Sequence, residues 1–248
     1  MNWLRPFFIA LQFLTRWPVT LRTAPQGCEI GHSLLYYPLV GVLFGLLLAA
    51  LDWALAGVGT LLSAVLLLAA WVLAGGALHL DGLADSADAW VGGLGDRART
   101  LAIMKDPYCG PAGVTALLLV LLLKFAALEE LAAHGDWLAL VLAPLLGRTA
   151  LPALFLCTTY VRPGGLGETL ARHLPRRAAL ALVLAVLAGI AALGMRGLWP
   201  LLAAMAVFAC LRAAMVRRLG GTTGDTAGAT VEIVETAALL AAALAQGG

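Results

Sequence analysis

The chain has 248 residues, of which 62% are hydrophobic and only 12% are charged, and its mean hydropathy is +0.94. A soluble domain carries about 25% charged residues, so this composition excludes a soluble protein and indicates one that crosses a membrane several times. The formal net charge of +2 identifies no partner. The four cysteines are far apart and form no Cys-x-x-Cys pair, which argues against a zinc site or a disulfide framework.

Residues 1–22 are predicted to form an amphipathic segment at the membrane interface. Arg5 and Arg16 flank a short apolar run that has no small-residue cleavage site, so a cleaved signal peptide is not expected. Trp3 and Trp17 suit the level of the lipid headgroups.

Seven later stretches are apolar and come close to the length of about 20 residues that a membrane-spanning helix needs. They are Leu34–Ala56, Leu61–Leu78, Val114–Ala133, Trp137–Tyr160, Ala178–Leu193, Leu198–Val216 and Ala229–Ala245. Their connections are rich in glycine and proline, and no internal repeat is visible. The sequence therefore predicts an all-α, polytopic membrane bundle of about seven helices that forms one domain over residues 1–248.

The distribution of basic residues predicts the orientation, because loops on the cytoplasmic side carry an excess of Lys and Arg. With the N-terminus in the cytoplasm, thirteen of the 16 basic residues fall on that side, and only Arg196 falls on the other. The thirteen are Arg5, Arg16, Arg22, Arg97, Arg99, Lys105, Arg162, Arg172, Arg176, Arg177, Arg212, Arg217 and Arg218. The group around Arg162 could enforce this topology or bind phosphates. The acidic segment 79–113 is then expected to be a cytoplasmic loop.

An acidic motif follows the second predicted span: Gly75–Asp88 reads GGALHLDGLADSAD. If the segment is helical, the spacing stacks Asp81, Asp85 and Asp88 on one face. Like charges at this spacing repel, and charge at the end of a span is costly unless it is paired or coordinated. Oxygen ligands favour Mg²⁺ or Mn²⁺, so a metal site is predicted, with a solvated acidic face as the alternative. His79 could contact the substrate, act as a base or be structural.

Two further segments on the same side carry groups suited to phosphate. Lys105 suits a phosphate oxygen and Asp106 a metal ion, although a simple ion pair in the loop is the alternative. The turn Gly220–Asp225, which reads GGTTGD, precedes a predicted helix and offers backbone N–H groups to an anion. It lacks the lysine of a P-loop. Its candidate substrate-binding residues are Gly221, Thr223 and Gly224.

Four of the charged residues inside predicted spans are candidates for a functional site, because charge there indicates function by default. Glu232 and Glu235 lie three residues apart on one side of the last span. Lys124 and Arg148 could neutralise these acids, contact a substrate phosphate or form a structural ion pair between spans. Together, the acids and the cations predict Mg²⁺-assisted phosphoryl or phosphodiester transfer. The residues alone do not name the substrate.

The same residues resemble a known family. GGALHLDGLADSAD, the later IMKD and GGTTGDTAGATVEIVE, with FLTRWPV and YYPLVGVLFG near the N-terminus, are similar to the motifs of adenosylcobinamide-GDP ribazoletransferase, or cobalamin synthase. The matches keep the family's order over nearly the whole chain. The resemblance implies an integral enzyme of the inner (cytoplasmic) membrane that joins adenosylcobinamide-GDP to α-ribazole or its 5′-phosphate and releases GMP.

The resemblance also implies Mg²⁺ as the cofactor. Asp81, Asp85 and Asp88 would hold it on the pyrophosphate, while Asp106 and Asp225 would complete the site or orient the attacking hydroxyl. The expected partners are the two substrates and the lipid bilayer but no nucleic acid, and homo-oligomerisation stays open. The candidate catalytic residues are then Asp81, Asp85, Asp106 and Asp225. The candidate metal ligands are Asp81, Asp85, Asp88, Asp225 and Glu232.

Two departures from the family pattern and two alternatives accompany this interpretation. Pro107-Tyr108-Cys109-Gly110 stands where the family has Ser-Arg-Ile/Leu-Gly, and Thr222 stands where it has glutamine. A phospholipid-synthase type of transferase uses a longer aspartate spacing than DGLADSAD offers. An ion-coupled transporter is the other alternative, but the acids cluster on one face and no inverted repeat is visible.

Overall fold

The computed structural model describes residues 4–21 and 23–246, so Trp3 and Arg22 of the predicted interfacial segment lie outside the described residues. Within these ranges the chain forms twelve α-helices and no β-strand, which confirms the predicted all-α class. The helices are α1 (Leu4–Leu14), α2 (Gly27–Ser33), α3 (Tyr37–Ala54), α4 (Thr60–Gly75), α5 (Leu78–Gly92), α6 (Arg97–Ile103), α7 (Pro111–His134), α8 (Trp137–Cys157), α9 (Leu166–Arg172), α10 (Arg176–Ala191), α11 (Met195–Leu219) and α12 (Gly224–Leu244). A 3₁₀ turn at Leu34–Tyr36 joins α2 to α3.

Each of the seven predicted spans corresponds to a helix, but fewer than seven meet the length of a span. In the described ranges, five segments are long and apolar enough, namely α2–α3, α7, α8, α11 and α12. The count rises to six if α4 and α5 are taken as one bent span, and α10 is shorter, with 16 residues. The predicted polytopic membrane bundle is thus confirmed, with five or six segments of the described ranges that are long and apolar enough to span a membrane.

A sharp bend between α4 and α5 separates the second predicted span from the acidic motif. The two helix axes meet at 88°, because Gly76 and Ala77 both adopt left-handed backbone conformations, with φ of +69° and +57°. This conformation is strained for alanine. The predicted loop 79–113 consequently begins with a regular helix, α5, followed by the short helix α6.

The helices α8 and α12 form the centre of the bundle. In their most apolar windows 78% and 72% of the residues are buried, against 28% in α7 and 22% in α11. Side chains such as Leu61 on α4 and Leu122 on α7 are more than half exposed, as expected of helices that face lipid. The centre is closely packed against α3, where a Cβ at Gly45 would lie 2.5 Å from the Cα of Val141 on α8. Gly41 and Gly45 thus form the small-x-x-x-small spacing that lets membrane helices approach.

Two glycines also bring the acidic helix α5 against α12. A Cβ at Gly82 would lie 2.7 Å from the carbonyl oxygen of Asp225, and one at Gly228 would lie 3.3 Å from the Cα of His79. Any larger residue at Gly82 would push the helices apart. This contact places the start of α5, with Asp81, beside the first turn of α12, with Asp225.

Candidate functional site

A cavity of about 510 Å³ lies where α5 meets α12. Four charged side chains line its polar end, and they come from four separate parts of the chain. They are Asp81 on α5, Lys105 after α6, Arg162 after α8 and Asp225 on α12. Three of these four, Asp81, Lys105 and Asp225, are predicted site residues, and the structure adds Arg162. A cavity of this size is typical of a small-molecule site.

The GGTTGD turn is held in place by the segment that carries Arg162. Thr222 N–H donates to the Thr159 carbonyl oxygen at 2.8 Å, and Val161 N–H donates to the Thr222 carbonyl oxygen at 2.9 Å. Gly221 packs directly against the Thr159 carbonyl group, where a Cβ would clash. Gly221 therefore permits a backbone contact, and the structure does not place it at the cavity wall.

The start of α12 faces the cavity through Gly224. Thr223 is the N-cap: it is buried, and its hydroxyl oxygen accepts a hydrogen bond from Thr226 N–H at 3.2 Å. Thr223 thus satisfies the helix end, while Gly224 lines the cavity. Because the first backbone N–H groups of a helix favour anions, this end of α12 suits a phosphate group.

Arg162 forms an ion pair with Asp225, with 2.6 Å between Nη1 and Oδ2. From the sequence, Arg162 is one of the basic residues predicted to enforce topology or bind phosphate, but it is not among the candidate site residues. The Pro163-Gly-Gly165 stretch that follows could have indicated a binding site at Arg162, because a glycine-rich loop lets the backbone approach a ligand. Next to Arg162, burial raises the pKa of the Tyr160 phenol, so this group stays protonated and can donate a hydrogen bond.

The three aspartates of α5 share one helix, as predicted, but their surroundings differ. Asp81 is exposed at the cavity, and its carboxylate makes no hydrogen bond or ion pair in the described structure. Asp85 is half-buried, and the Asp81 and Asp225 carboxylates are close enough to repel its charge. Asp88 accepts from Gly110 N–H at 2.7 Å and from Gly113 N–H at 2.9 Å.

The contacts of Asp88 give it a structural role at the start of α7. Its two oxygens bind backbone amides that the helix itself leaves unsatisfied. A metal ion at Asp88 would have to compete with these amides. The metal role of Asp88 therefore stays a prediction, and Asp81 is the aspartate of α5 that lines the cavity.

Asp106 lies on the surface and does not line the cavity. Its Oδ1 accepts from Tyr108 N–H at 3.1 Å, which makes a local turn. Its neighbour Lys105 does line the cavity. The predicted pair therefore splits, and a part for Asp106 in the reaction stays a prediction.

The four charged candidates inside the spans pair with one another; they are Lys124, Arg148, Glu232 and Glu235. Lys124 Nζ lies 2.6 Å from Glu232 Oε2 and 2.8 Å from Glu235 Oε2, and Arg148 contacts the other oxygen of Glu235. Trp71 Nε1 also donates to Glu235, at 3.1 Å. All four charged side chains are buried. Of the predicted alternatives, the structure shows the acids neutralised by the cations.

Because these side chains pair with one another, their contacts do not support the predicted roles in metal or substrate binding. Glu232 points to Lys124 rather than to the cavity, so its metal role stays a prediction without support from its contacts. Lys124 and Arg148 are likewise engaged with carboxylates and do not line the cavity. His79 lies between the two regions: it lines both the cavity and the space beside the paired charges, and its Nε2 has no hydrogen-bond partner among the described atoms.

The donor set at the polar end fits a magnesium ion bound together with substrate. No group of three His, Cys, Asp or Glu side chains in residues 4–21 and 23–246 is already arranged around a metal position. Mg²⁺ needs no such cage, because it usually binds through one or two carboxylates, several waters and substrate phosphates. Asp81 and Asp225 supply two carboxylates at the cavity, with Asp85 beside them.

Comparison with known proteins decides the family. A family model described as Cobalamin-5-phosphate synthase matches residues 6–243. The chain is 61% identical over 240 residues to the adenosylcobinamide-GDP ribazoletransferase of Pseudomonas fluorescens Pf-5, covering 96% of this chain and 99% of that protein. The chain belongs to the cobalamin-5-phosphate synthase family. It is therefore an enzyme of cobalamin biosynthesis, and the resemblance found in the sequence is confirmed.

Two further relatives carry the same name. The adenosylcobinamide-GDP ribazoletransferase of Pseudomonas putida GB-1 is 61% identical over 239 residues, which cover 96% of this chain and 98% of that protein. That of Pseudomonas fluorescens Pf0-1 is 58% identical over 241 residues, with 96% and 99% covered. No solved structure matches the chain significantly.

The structure accounts for one of the two departures from the motifs of the cobalamin-5-phosphate synthase family. Thr222 is fully buried, and its hydroxyl lies 2.9 Å from that of Thr226 on the first turn of α12. A short polar side chain therefore fits this position. The other departure, Pro107-Tyr108-Cys109, is exposed, and Tyr108 retains 84% of its accessible surface. This segment supplies no cation.

Proposed function

We propose that this member of the cobalamin-5-phosphate synthase family joins adenosylcobinamide-GDP to α-ribazole or its 5′-phosphate and releases GMP, with Mg²⁺ as cofactor. The observation that carries the proposal is that Asp81, Asp225, Lys105 and Arg162 line one cavity. Two carboxylates and two cations in one cavity suit a metal-bound diphosphate. The names of the relatives supply the two substrates.

The cations would hold the diphosphate of the nucleotide substrate. Guanidinium and ammonium groups bind phosphate oxygens through strong charge-assisted hydrogen bonds. The N-terminus of α12 at Gly224 adds a favourable helix dipole. Mg²⁺ held by Asp81 and Asp225 would neutralise the charge that develops on the diphosphate. Arg162 would then move from Asp225 to a phosphate oxygen.

The reaction exchanges one phosphorus–oxygen bond for another. A ribose hydroxyl of the acceptor attacks the phosphorus that carries cobinamide, the bond from this phosphorus to the GMP oxygen breaks, and GMP leaves with the bonding electrons. The hydroxyl proton passes to a carboxylate at the polar end.

We also propose that the enzyme lies in the inner (cytoplasmic) membrane with the cavity facing the cytoplasm. Lys105 and Arg162, which line the cavity, belong to the side that is predicted to hold thirteen of the 16 basic residues. That excess is typical of the cytoplasmic side, where water-soluble nucleotides are available.

The function is tested by following GMP release from purified protein with adenosylcobinamide-GDP, α-ribazole and Mg²⁺. We expect release by the wild type, none in the presence of a chelator, and none from Asp81→Ala or Asp225→Ala. Arg162→Ala should lower kcat/KM for adenosylcobinamide-GDP by about 100-fold, as expected for the loss of a charged hydrogen bond, and Arg162→Lys should restore part of it.

The matched control is Glu130→Gln, which removes a half-exposed charge on α7 far along the chain from the cavity residues. It should release GMP at the wild-type rate. Wild-type protein that releases no GMP above the chelated sample would refute the assignment. Full activity in Asp81→Ala would remove that residue from the site.

A further inference from the structure

The cavity has a second, apolar end that the proposed phosphate chemistry does not use. Its walls come from α1, α3, α8, α9 and the segment after α8. They consist of Phe13, Tyr37, Leu151, Phe155, Tyr160 and Leu170. No charged side chain lies among these six residues.

The aromatic residues at this end form two pairs. Phe13 stacks on Tyr37 with 6.2 Å between the ring centroids and 25° between the ring planes. Phe155 packs on Tyr160 at 6.3 Å and 50°. Tyr37 and Phe155 are buried, while Phe13 and Tyr160 are partly exposed. A cavity wall built from aromatic pairs suits a flat, apolar ring system.

The N-terminal helix α1 contributes Phe13 to this end. Arg16 N–H donates to the Ala74 carbonyl oxygen at 2.8 Å, which ties the segment after α1 to the end of α4. Arg5 on α1 also pairs with Glu29 on α2, with 3.3 Å between Nη1 and Oε1. Because α1 is anchored at both ends, Phe13 is held against the cavity.

The proposed reaction fixes which part of a substrate can reach this end. The ribose of α-ribazole must lie at the polar end, because its hydroxyl attacks the diphosphate. The base attached to that ribose is a dimethylbenzimidazole, which is flat, bicyclic and apolar. The corrin is much larger than a nucleoside and carries polar amides, and guanine is rich in hydrogen-bonding groups. The base is therefore the substrate part that matches the apolar end in shape and polarity.

We propose that the apolar end of the cavity binds the benzimidazole base of the acceptor, between the pairs Phe13–Tyr37 and Phe155–Tyr160, and so selects the acceptor. This inference rests on the proposed function. It assigns the cavity two neighbouring positions, one for the diphosphate at Asp81 and Asp225 and one for the base.

The test is the variant Phe13→Ala, with Phe8→Ala as its matched control. Both residues lie on α1, but Phe8 does not line the cavity and is 39% exposed. Phe13→Ala should raise the KM for α-ribazole about tenfold and leave the KM for adenosylcobinamide-GDP unchanged. Phe8→Ala should change neither value. The preference for α-ribazole over the same nucleoside without the two methyl groups should also fall in Phe13→Ala.

A second measurement separates this inference from the proposed function. Equilibrium dialysis of radiolabelled α-ribazole against the full-length protein in nanodiscs needs no turnover. Wild-type protein should bind the nucleoside, and Phe13→Ala should bind it about tenfold more weakly. If the wild type releases no GMP, the proposed function fails, while this binding difference still reports on the apolar end.

Three results would overturn the inference. One is an increase in the KM for adenosylcobinamide-GDP alone, which would place the corrinoid or its nucleotide at the apolar end. Another is an equal effect of Phe8→Ala, which would indicate a general disturbance of α1 in the membrane. The third is unchanged α-ribazole binding in both Phe13→Ala and Phe155→Leu, a milder change to the second aromatic pair.

Discussion

Aspartates of the same helix differ in what their oxygens contact. Asp81 faces the cavity without a partner in the described structure, whereas Asp88 accepts two backbone N–H groups at the start of α7. Asp225 is paired with Arg162. Identical carboxylates can thus serve chemistry, helix capping or charge balance, because the partner decides how much free energy the loss of the side chain costs.

The variant Asp88→Ala should loosen the start of α7 without altering the cavity directly. Gly110 and Gly113 would lose the acceptor for their N–H groups, which costs about 1–3 kcal/mol. We expect faster hydrogen exchange at residues 109–115, measured by mass spectrometry in detergent. Asp106→Ala, which removes an exposed carboxylate, is the control and should leave exchange there unchanged. Normal exchange together with weaker Mg²⁺ binding would instead make Asp88 a metal ligand.

The stability of the protein should depend on both partners of each buried ion pair. Lys124→Met leaves Glu232 without its cation, and Glu232→Gln removes the charge that Lys124 contacts at 2.6 Å. Breaking a buried ion pair costs about 3–5 kcal/mol, so each single variant should lower the free energy of unfolding, measured by denaturant titration in detergent. The double variant should lose less than the sum of the two. Strictly additive losses would show that the two residues are not coupled, and Glu130→Gln should have no effect.

At the scale of elements, the site depends on the bend after α4 and on the approach of α5 to α12. The bend turns the acidic helix by 88° out of the direction of α4, and Gly82 and Gly228 then let the α5 and α12 backbones touch. A small change in the distance between these helices would move Asp81 relative to Asp225. Catalysis that needs both carboxylates on one diphosphate is sensitive to such displacements.

The variant Gly82→Ala adds a single methyl group, but it should lower activity strongly because that group meets the backbone of α12. The added Cβ would lie 2.7 Å from the Asp225 carbonyl oxygen, so α5 has to move. We expect kcat/KM for GMP release to fall about 100-fold. Gly189→Ala on α10 is the matched control, because a Cβ there meets nothing within 4 Å. Gly82→Ala with normal turnover would show that the helix contact does not position the site.

At the scale of the whole molecule, the bundle carries its polar cavity at one end of an apolar body. The central helices α8 and α12 are largely buried, while α4, α7 and α11 expose leucines as expected toward lipid. Charge inside the body is confined, as far as the described spans show, to residues that pair with one another, such as Lys124 with Glu232. The orientation of this body in the membrane decides which substrates reach the cavity.

Cysteine labelling tests that orientation. All four cysteines are exposed, so a variant that keeps only Cys109 is required, with Ser at Cys28, Cys157 and Cys210. A membrane-impermeant maleimide should label it in inside-out vesicles and not in intact spheroplasts. The pKa of Cys109 is raised by local desolvation and by the Asp88 carboxylate, so labelling is run at about pH 8.5.

The control for labelling is a cysteine on the opposite side. Arg196→Cys in a cysteine-free background places an exposed thiol in the first turn of α11, at the opposite end of this helix from Arg217 and Arg218. It should show the reverse pattern, with labelling in spheroplasts. Labelling of Cys109 from outside the cell would reverse the predicted orientation and with it the cytoplasmic location of the cavity.

Hydrophobic pattern and residue spacing, which are local properties, determined the helical membrane fold, the helix that carries Asp81, Asp85 and Asp88, and the turn before α12. The charge of the loops placed Asp81, Lys105 and Asp225 on one side, and the structure confirms that they line one cavity. The name of the substrates came from the family motifs, because no spacing of carboxylates distinguishes one diphosphate from another.

Only the tertiary structure decided which charges meet. Arg162 pairs with Asp225 across 63 residues of sequence, Lys124 with Glu232 across 108, and Asp88 reaches Gly110 across 22. Such pairings depend on how each helix is rotated and how closely it packs, and neither is encoded in a local period. The same holds for the aromatic end of the cavity. It is assembled from α1, α3, α8, α9 and the segment after α8, and only Phe13 and Tyr37 of its residues fall in the family motifs.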